Sequence, residues 1–355
     1  MNTRTSRLLA GTVVAALLVA ACGGGDDGDG SDAAPETTAA APETTAAAPE
    51  TTAAAPETTA APPETTAAPP EATAAAPETT AAAPETTVPM ADVGRVVVVA
   101  EEGVLADLLS LGVPVAASSA TVPEAGFIGM DEFDTSGIEI FDYLTLSLEE
   151  LAAYDADHIV TWEFIVNQVG AEQLAGVGAE VHVLPDGSTT REQAVLLGEF
   201  FGREAQAEEL VAELDAEYAA SQGEVPDGCE VSVAAIYAGA NVAVFAEPIW
   251  TAPSAVTELG CQLVPSGDEV DTDRNGRLYL SLEQLGLLSA PTMILLQTEA
   301  VDGEAESVAE IEANPLWQTL PAVQADRVTV LDRIGYPGIA GEIRLIDDLI
   351  VAVQP

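Results

Sequence analysis

Eight glutamates recur every seven residues from Glu36 to Glu85, and a proline immediately precedes each one. This pattern decides what the first quarter of the chain cannot become. A seven-residue period would describe a coiled coil if large apolar residues filled its first and fourth positions, but these repeats offer Ala and Thr. A proline every two turns also removes hydrogen bonds from any helix. Such a composition cannot bury enough apolar area to offset the entropy of ordering, so residues 33–89 are expected to be a disordered or polyproline-II spacer. In polyproline-II form residues 31–89 would reach about 180 Å, and as a flexible coil about 40 Å. The paired threonines of the repeat are candidates for O-glycosylation. Folding is left to the 266 residues from Met90 onward, enough for one large or two medium lobes.

Ahead of the repeats, Arg4 and Arg7 precede a 14-residue apolar run from Leu8 to Ala21. That run is too short to span a bilayer comfortably and has the layout of a secretory signal. Its end, Leu18-Val19-Ala20-Ala21-Cys22-Gly23, resembles a bacterial lipobox. The resemblance implies a signal peptide over residues 1–21, lipid attachment to Cys22, and a tether over 22–91. The expected location is the extracytoplasmic face of the cell membrane, where several acyl chains hold a protein that one chain would not. An ordinary signal with a chance Cys, or a short membrane anchor, are the alternatives.

From Met90 the chain has 8 Arg, no Lys and 47 Asp plus Glu, a net charge of −39. Phosphate binding needs clustered basic residues, so a nucleic-acid partner is excluded. The acid excess resembles that of salt-adapted proteins, in which high salt screens self-repulsion. Cys229 and Cys261 are the cysteines that remain after Cys22. In an exported protein a disulfide between them is preferred over two unpaired thiols. No metal site and no cofactor are expected. There is no Cys-x-x-Cys, and His158 and His182, the only histidines, both lie in strand patterns that suit a structural role. No nucleophile elbow, phosphate loop or placed Cys–His pair suggests an enzyme.

Strand and helix patterns alternate. Arg95–Ala100, Val113–Ala117, His158–Thr161 and Glu180–Leu184 read as strands. Between them, Glu102–Leu111, Leu148–Tyr154 and Asn167–Gly176 read as helices, with Thr121–Ile140 as a loop. A long helical pattern from Thr190 to about Ser221 follows. Then come strands at Glu230–Tyr237, Gln262–Val264, Thr292–Leu296 and Arg327–Leu331. Helices are expected at Ala252–Leu259, Leu282–Leu287, Val308–Glu312 and Ile339–Val353. Such alternation predicts α/β architecture with mostly parallel sheets.

Four ordered segments then resemble one family. Ser147 to Trp162 (SLEELAAYDADHIVTW), Gly198 to Leu210 (GEFFGREAQAEEL), Ser281 to Leu285 with Pro291 to Leu295 (SLEQL, PTMIL), and Asn314 to Val328 (NPLWQTLPAVQADRV) are similar to stretches of ABC-importer binding proteins for iron–siderophores, haem and vitamin B12. The resemblance covers about residues 92–355. Tyr154-Asp155-Ala156 and Asp326 depart from the family's usual Leu-Lys-Pro and Gly. It implies a class III substrate-binding protein: two Rossmann-like lobes (92–189 and 226–355) joined by one long interlobe helix (190–225), with a ligand cleft between them. It also implies a monomer that captures a ferric siderophore or similar chelate, with iron only inside the chelate, and delivers it to an ABC permease dimer. Glu149 and Glu283 match the family's permease-docking glutamates. Trp162, Tyr237, Trp250, Arg333 and Tyr336 are the candidate ligand contacts, with Arg274 and Arg277 as second choices and Trp317 assigned to the core. Aromatic faces with a few polar groups suit a bulky chelate, and an Arg suits its anionic oxygens. Glu101 and Glu102 follow the first strand, and if they line the cleft they disfavour a highly anionic ligand. Haem or cobalamin in the same fold, or a stalked adhesion protein, remain as other readings.

Overall fold

The computed structural model describes residues 93–354. The expected signal peptide, Cys22, the expected repeat tether and Pro355 lie outside the described residues. No described helix is long and apolar enough to cross a membrane.

The first lobe runs β1 (Val96–Val99), α1 (Glu102–Ser110), β2 (Val115–Ser119), β3 (Glu139–Phe141), α2 (Leu148–Ala153), β4 (His158–Trp162), α3 (Glu163–Val169), α4 (Ala171–Ala175) and β5 (Glu180–Leu184). Its strands are ordered β3-β2-β1-β4-β5, and every neighbouring pair is parallel. The β1 sequence VVVV explains its central place: all four side chains are buried, as a strand covered on both faces requires. Val96 and Val98 join the core under α1, whereas Val97 and Val99 join the opposite core with Leu151, Ile159 and Leu174. One helix expected over 167–176 is two, because Gly170 takes φ +101 between α3 and α4. The loop 121–140 ends in β3, a three-residue edge strand in which only Phe141 is buried. So short and exposed a strand leaves no periodic trace.

The interlobe segment is helical, but it is two helices rather than one: α5 (Thr190–Phe201) and α6 (Glu204–Ser221). Thr189 and Glu192 form a reciprocal cap at the start of α5, and Gly202 ends it in the left-handed region at φ +61, the usual role of glycine there. Gly198 is required by contact: a Cβ there would meet the Cβ of Ala207 at 2.7 Å. Arg191 on α5 bonds Asp215 on α6 and forks onto Glu258 of the second lobe.

The second lobe follows with β6 (Glu230–Tyr237), β7 (Asn241–Phe245), α7 (Thr251–Glu258), β8 (Gln262–Leu263), β9 (Arg277–Leu280), β10 (Thr292–Gln297), α8 (Glu304–Glu312), α9 (Pro321–Gln324), β11 (Val328–Asp332) and α10 (Gly338–Val353). The strand order is β11-β10-β6-β7-β9, with β8 beside β6. This sheet is mixed, since β7 runs antiparallel to β6 and β9. The three-residue link Ala238-Gly239-Ala240 forces the reversal, being far too short for a parallel crossover. Cys229, just before β6, is bonded to Cys261, just before β8, with Cα atoms 4.6 Å apart. Trp317 is buried in the core beneath this sheet.

The lobes meet along α1 and α10. Gly338 takes φ +64 at the start of α10, and a Cβ there would lie 2.5 Å from Asp107 Oδ1 and 3.0 Å from the Ala106 Cβ. Asp107 is fully buried, and its Oδ1 accepts the Ile339 N–H at 2.8 Å. Arg344 of α10 reaches the first-lobe loop, donating to Gly129 O at 2.7 Å and pairing with Glu132.

Candidate functional site

Parallel strands of α/β lobes present ligands with their carboxyl ends. Tyr237 ends β6, and Arg333 directly follows β11 with its N–H donated to Gln297 at the end of β10. The Arg333 guanidinium lies over the Tyr237 ring, 5.1 Å from its centroid. Its Nη2 donates to Glu304 Oε1 at 2.5 Å, and Glu304 is only 1% exposed. On the other side stands Arg277, the first residue of β9. Its guanidinium sits 5.6 Å from the Trp250 ring and 5.5 Å from that of Tyr279. Tyr279 is in turn 6.3 Å from Tyr237. Strand alternation sets this up, because Arg277 and Tyr279 are two apart on β9 and share one face. Trp250 caps the start of α7 and is anchored through its indole N–H to Asn275 O at 2.9 Å, which leaves it 46% exposed.

Two cations therefore bracket Tyr237. Burial pushes its hydroxyl above the ordinary value, and Arg277 and Arg333 oppose that shift. Nε of Arg277 and Nε of Arg333 are both buried without a partner among the described residues. Arg277, a second choice from sequence, sits inside the cluster, while Arg274 is exposed outside it. Tyr279 escaped the sequence reading; its one signal was its i+2 spacing from Arg277. Tyr336 is held differently, its hydroxyl donating to Asp348 on α10 at 2.7 Å while its ring packs on the second-lobe core.

On the first lobe, Trp162 ends β4 and donates its indole N–H to Glu101 Oε2 at 2.6 Å. Burial raises the Glu101 carboxyl above its usual range, against this hydrogen bond. Burial and then the Glu101 charge raise the nearby Tyr143 hydroxyl as well. Glu102 does not face the cleft: it is 2% exposed and accepts from Thr121 N and Oγ1 at 2.8 and 2.6 Å. The acidic loop inferred from sequence thus reduces to Glu101, whose carboxylate is already engaged.

Glu149 and Glu283 occupy equivalent positions. Each follows a Ser-Leu pair whose serine closes a reciprocal cap, Ser147 with Glu150 and Ser281 with Gln284. The next leucine, Leu151 or Leu285, is buried and pins the turn. Both glutamates are exposed. Glu283 is held below the usual carboxylate range by its own backbone N–H and by Ser281. The helix at Glu149 is α-helical; that at Glu283, Leu282–Leu287, is a 3-10 turn.

His158 and His182 are not the isolated strand residues they appear in sequence. Their imidazoles face each other, Nδ1 of His158 lying 3.0 Å from Nε2 of His182. Two surface grooves complete the picture. One of about 400 Å³ lies between Arg95, Glu139 and Tyr154, and another of about 800 Å³ between Glu230, Glu247 and Glu269. None of the ligand candidates lines either groove.

The model of the periplasmic binding protein family matches residues 97–334. No curated protein sequence matches the chain. Among solved structures, Staphylococcus aureus SirA complexed with staphyloferrin B is 20% identical with a TM-score of 0.62, covering 73% of this chain and 92% of that one. A FhuD-fold component of a ferrichrome ABC transporter from Bacillus subtilis is 21% identical with a TM-score of 0.60, covering 73% and 94%. Staphylococcus aureus FhuD2 with bound ferrioxamine B is 16% identical with a TM-score of 0.59, covering 73% and 98%. At such identities the likeness is one of fold, two α/β lobes of the FhuD type. The family match spans most of the chain, and with it the chain belongs to the periplasmic binding protein family.

Proposed function

We propose that this chain is an extracytoplasmic substrate-binding lipoprotein of an ABC importer, capturing a ferric siderophore or similar chelate and delivering it to the permease. The observation that carries the ligand class is the bracket of Arg277 and Arg333 around Tyr237. A chain with a net charge of −39 over its last 266 residues has eight arginines there and places two of them beside one tyrosine. Guanidinium groups with aromatic walls suit the anionic oxygens and flat faces of an iron chelate. The structures of SirA with staphyloferrin B and of FhuD2 with ferrioxamine B support the same direction. Trp162, Tyr237, Trp250, Arg333 and Tyr336 are the proposed ligand contacts, with Arg277 and Tyr279 added. Residues 92–189 and 226–355 are the proposed lobes, carried by a monomer on the Cys22-anchored tether.

Glu149 and Glu283 are the proposed permease contacts. Exposed carboxylates on capped turns steer association and fix register more than they add affinity. The test is titration of the protein with ferric siderophores, haem and cobalamin, followed by tryptophan fluorescence. Saturable quenching by a ferric siderophore is expected, and a response to haem or cobalamin alone would overturn the ligand class. In cells, Glu149→Ala with Glu283→Ala should abolish uptake at unchanged ligand affinity. A fall in affinity instead would remove the docking role.

A further inference from the structure

The pairing of β4 with β5 sets His158 opposite Glu180 and Val160 opposite His182. Residues two apart on a strand share a face, so both histidines and Glu180 stand on the same side of the first-lobe sheet. They cluster at its edge, where the strands begin. Trp162 ends β4 four residues beyond His158, about 13 Å along the strand, so the cluster lies at the opposite end of the sheet from the proposed cleft.

His158 Nδ1 lies 3.0 Å from His182 Nε2 and 3.6 Å from Glu180 Oε2. All three donor atoms fall within 4.8 Å of one another. Zinc–nitrogen and zinc–oxygen bonds are about 2.0–2.2 Å, so two ligands on one tetrahedral ion stand about 3.3 Å apart. The two separations from His158 bracket that spacing, and the third, from His182 to Glu180, lies within 4.8 Å, so a small turn of the exposed Glu180 side chain would complete the set. Phe200 and Phe201 back the cluster, with ring centroids 4.8 and 5.2 Å from His182, and Phe201 meets His158 edge-on at 5.5 Å. This fixes the imidazoles from behind. His158 is partly exposed and Glu180 exposed, which leaves an entry path and room for a water as fourth ligand.

We propose that His158, His182 and Glu180 form a binding site for a divalent transition ion of the zinc class, separate from the chelate cleft. Two imidazole nitrogens and one carboxylate are the donor set that zinc takes with an open position, and they are a poor set for magnesium or calcium, which prefer all-oxygen shells. The ion would bridge edge strand β5 to β4. A plain hydrogen bond between the two imidazoles is the competing account.

The test is titration of the untagged protein with zinc chloride by calorimetry, with magnesium chloride as control and with His158→Gln and Glu180→Gln alongside. These two side chains are not fully buried, so the Phe200–Phe201 core survives their replacement. The chain holds only two histidines, so imidazole resonances of histidine-labelled protein report the site without assignment ambiguity. One equivalent of zinc is expected, shifting both imidazoles, with affinity about 100-fold weaker in His158→Gln and no response to magnesium. Unshifted imidazoles at saturating zinc, or equal affinity in His158→Gln, would overturn the site. Siderophore titration reads the other end of the sheet, so its outcome is independent of this one.

Discussion

Asp107 gives the sharpest test of how the lobes are joined. Its carboxyl is fully buried between α1 and α10, and its Oδ2 has no partner among the described residues. Burial, helped by the charge of Glu342 and opposed by the Ile339 N–H, pushes its pKa from 3.8 to about 7. A raised folded-state pKa means that the folded protein holds this proton more tightly than the unfolded chain. The stability linked to it is complete below about pH 4 and is lost as pH rises through 7. Three pKa units correspond to about 4 kcal/mol in all, of which about 2.5 kcal/mol falls between pH 5 and pH 8. Asp107→Asn removes the titration while keeping Oδ1 as acceptor for Ile339. Its new amide adds a cost or gain that does not vary with pH. The protein has 59 acidic residues, so the pH profile of either protein alone says little, but the difference between them isolates Asp107. Urea unfolding at pH 5, 6, 7 and 8 should show wild type losing about 2.5 kcal/mol more than the variant across that range. Parallel profiles would refute the reasoning and place Asp107 as an ordinary ionised carboxylate.

Arg333→Met leaves the buried Glu304 carboxylate unpaired and should cost about 3–5 kcal/mol in chemical unfolding, with most of it recovered by adding Glu304→Gln; an unchanged midpoint for the single variant would show the pair to be inert. Arg277→Gln should weaken binding of a ferric siderophore about tenfold, or about 1.4 kcal/mol, by isothermal titration, whereas the exposed Arg274→Gln should not. Equal losses at both would point to general charge rather than the aromatic bracket. Gly338→Ala drives a Cβ onto Asp107 and Ala106 at a left-handed φ and should lower stability by about 1–3 kcal/mol. A calorimetric Tm equal to that of wild type would deny the tight contact of α1 with α10.

What the sequence shows clearly follows the buried, periodic elements. VVVV at β1 and TMILL within β10 read as strands because both faces are covered, and the Ser-Leu-Glu turns were legible from their resemblance to the family, the caps that hold them being found in the structure. Elements placed by a turn rather than by their own pattern were not legible. β7 and β9 form the antiparallel side of the second sheet, and their place depends on the turn at Gly239 rather than on their own pattern. The interlobe break hid because Gly198 and Gly202 each signal weakness, while only the fold shows that the first is a contact with Ala207 and the second a terminus. The position of the candidate residues in the fold was half legible. Residues at strand ends, Trp162, Tyr237 and Arg333, could be placed by the rule for α/β sheets. Arg277 and Tyr279 could not, since β9 itself was unseen. Asp107, Glu304 and the His158–His182 contact depend on chain segments brought together in space.

The joints between the lobes limit how the cleft can work. A single helical link would allow a wide swing, yet this chain has three sets of ties: α5 with α6, the α1–α10 contact, and Arg344 on the loop at Gly129 and Glu132. Packed helices slide by small amounts or stay put, because close-packed cores do not deform continuously. Gly338 leaves no side chain between α10 and α1, so its backbone lies directly against Asp107, Ala106 and the Gly103 carbonyl. Under the proposed function, closure on a ligand would then come from side chains and loops at the mouth, above all Trp250 and the Arg277 and Arg333 guanidiniums. The groups proposed to contact the ligand would therefore also be those that move. On this reading Gly338→Ala should loosen the lobes and weaken chelate binding together, whereas Arg277→Gln should weaken binding and leave the unfolding midpoint where it was.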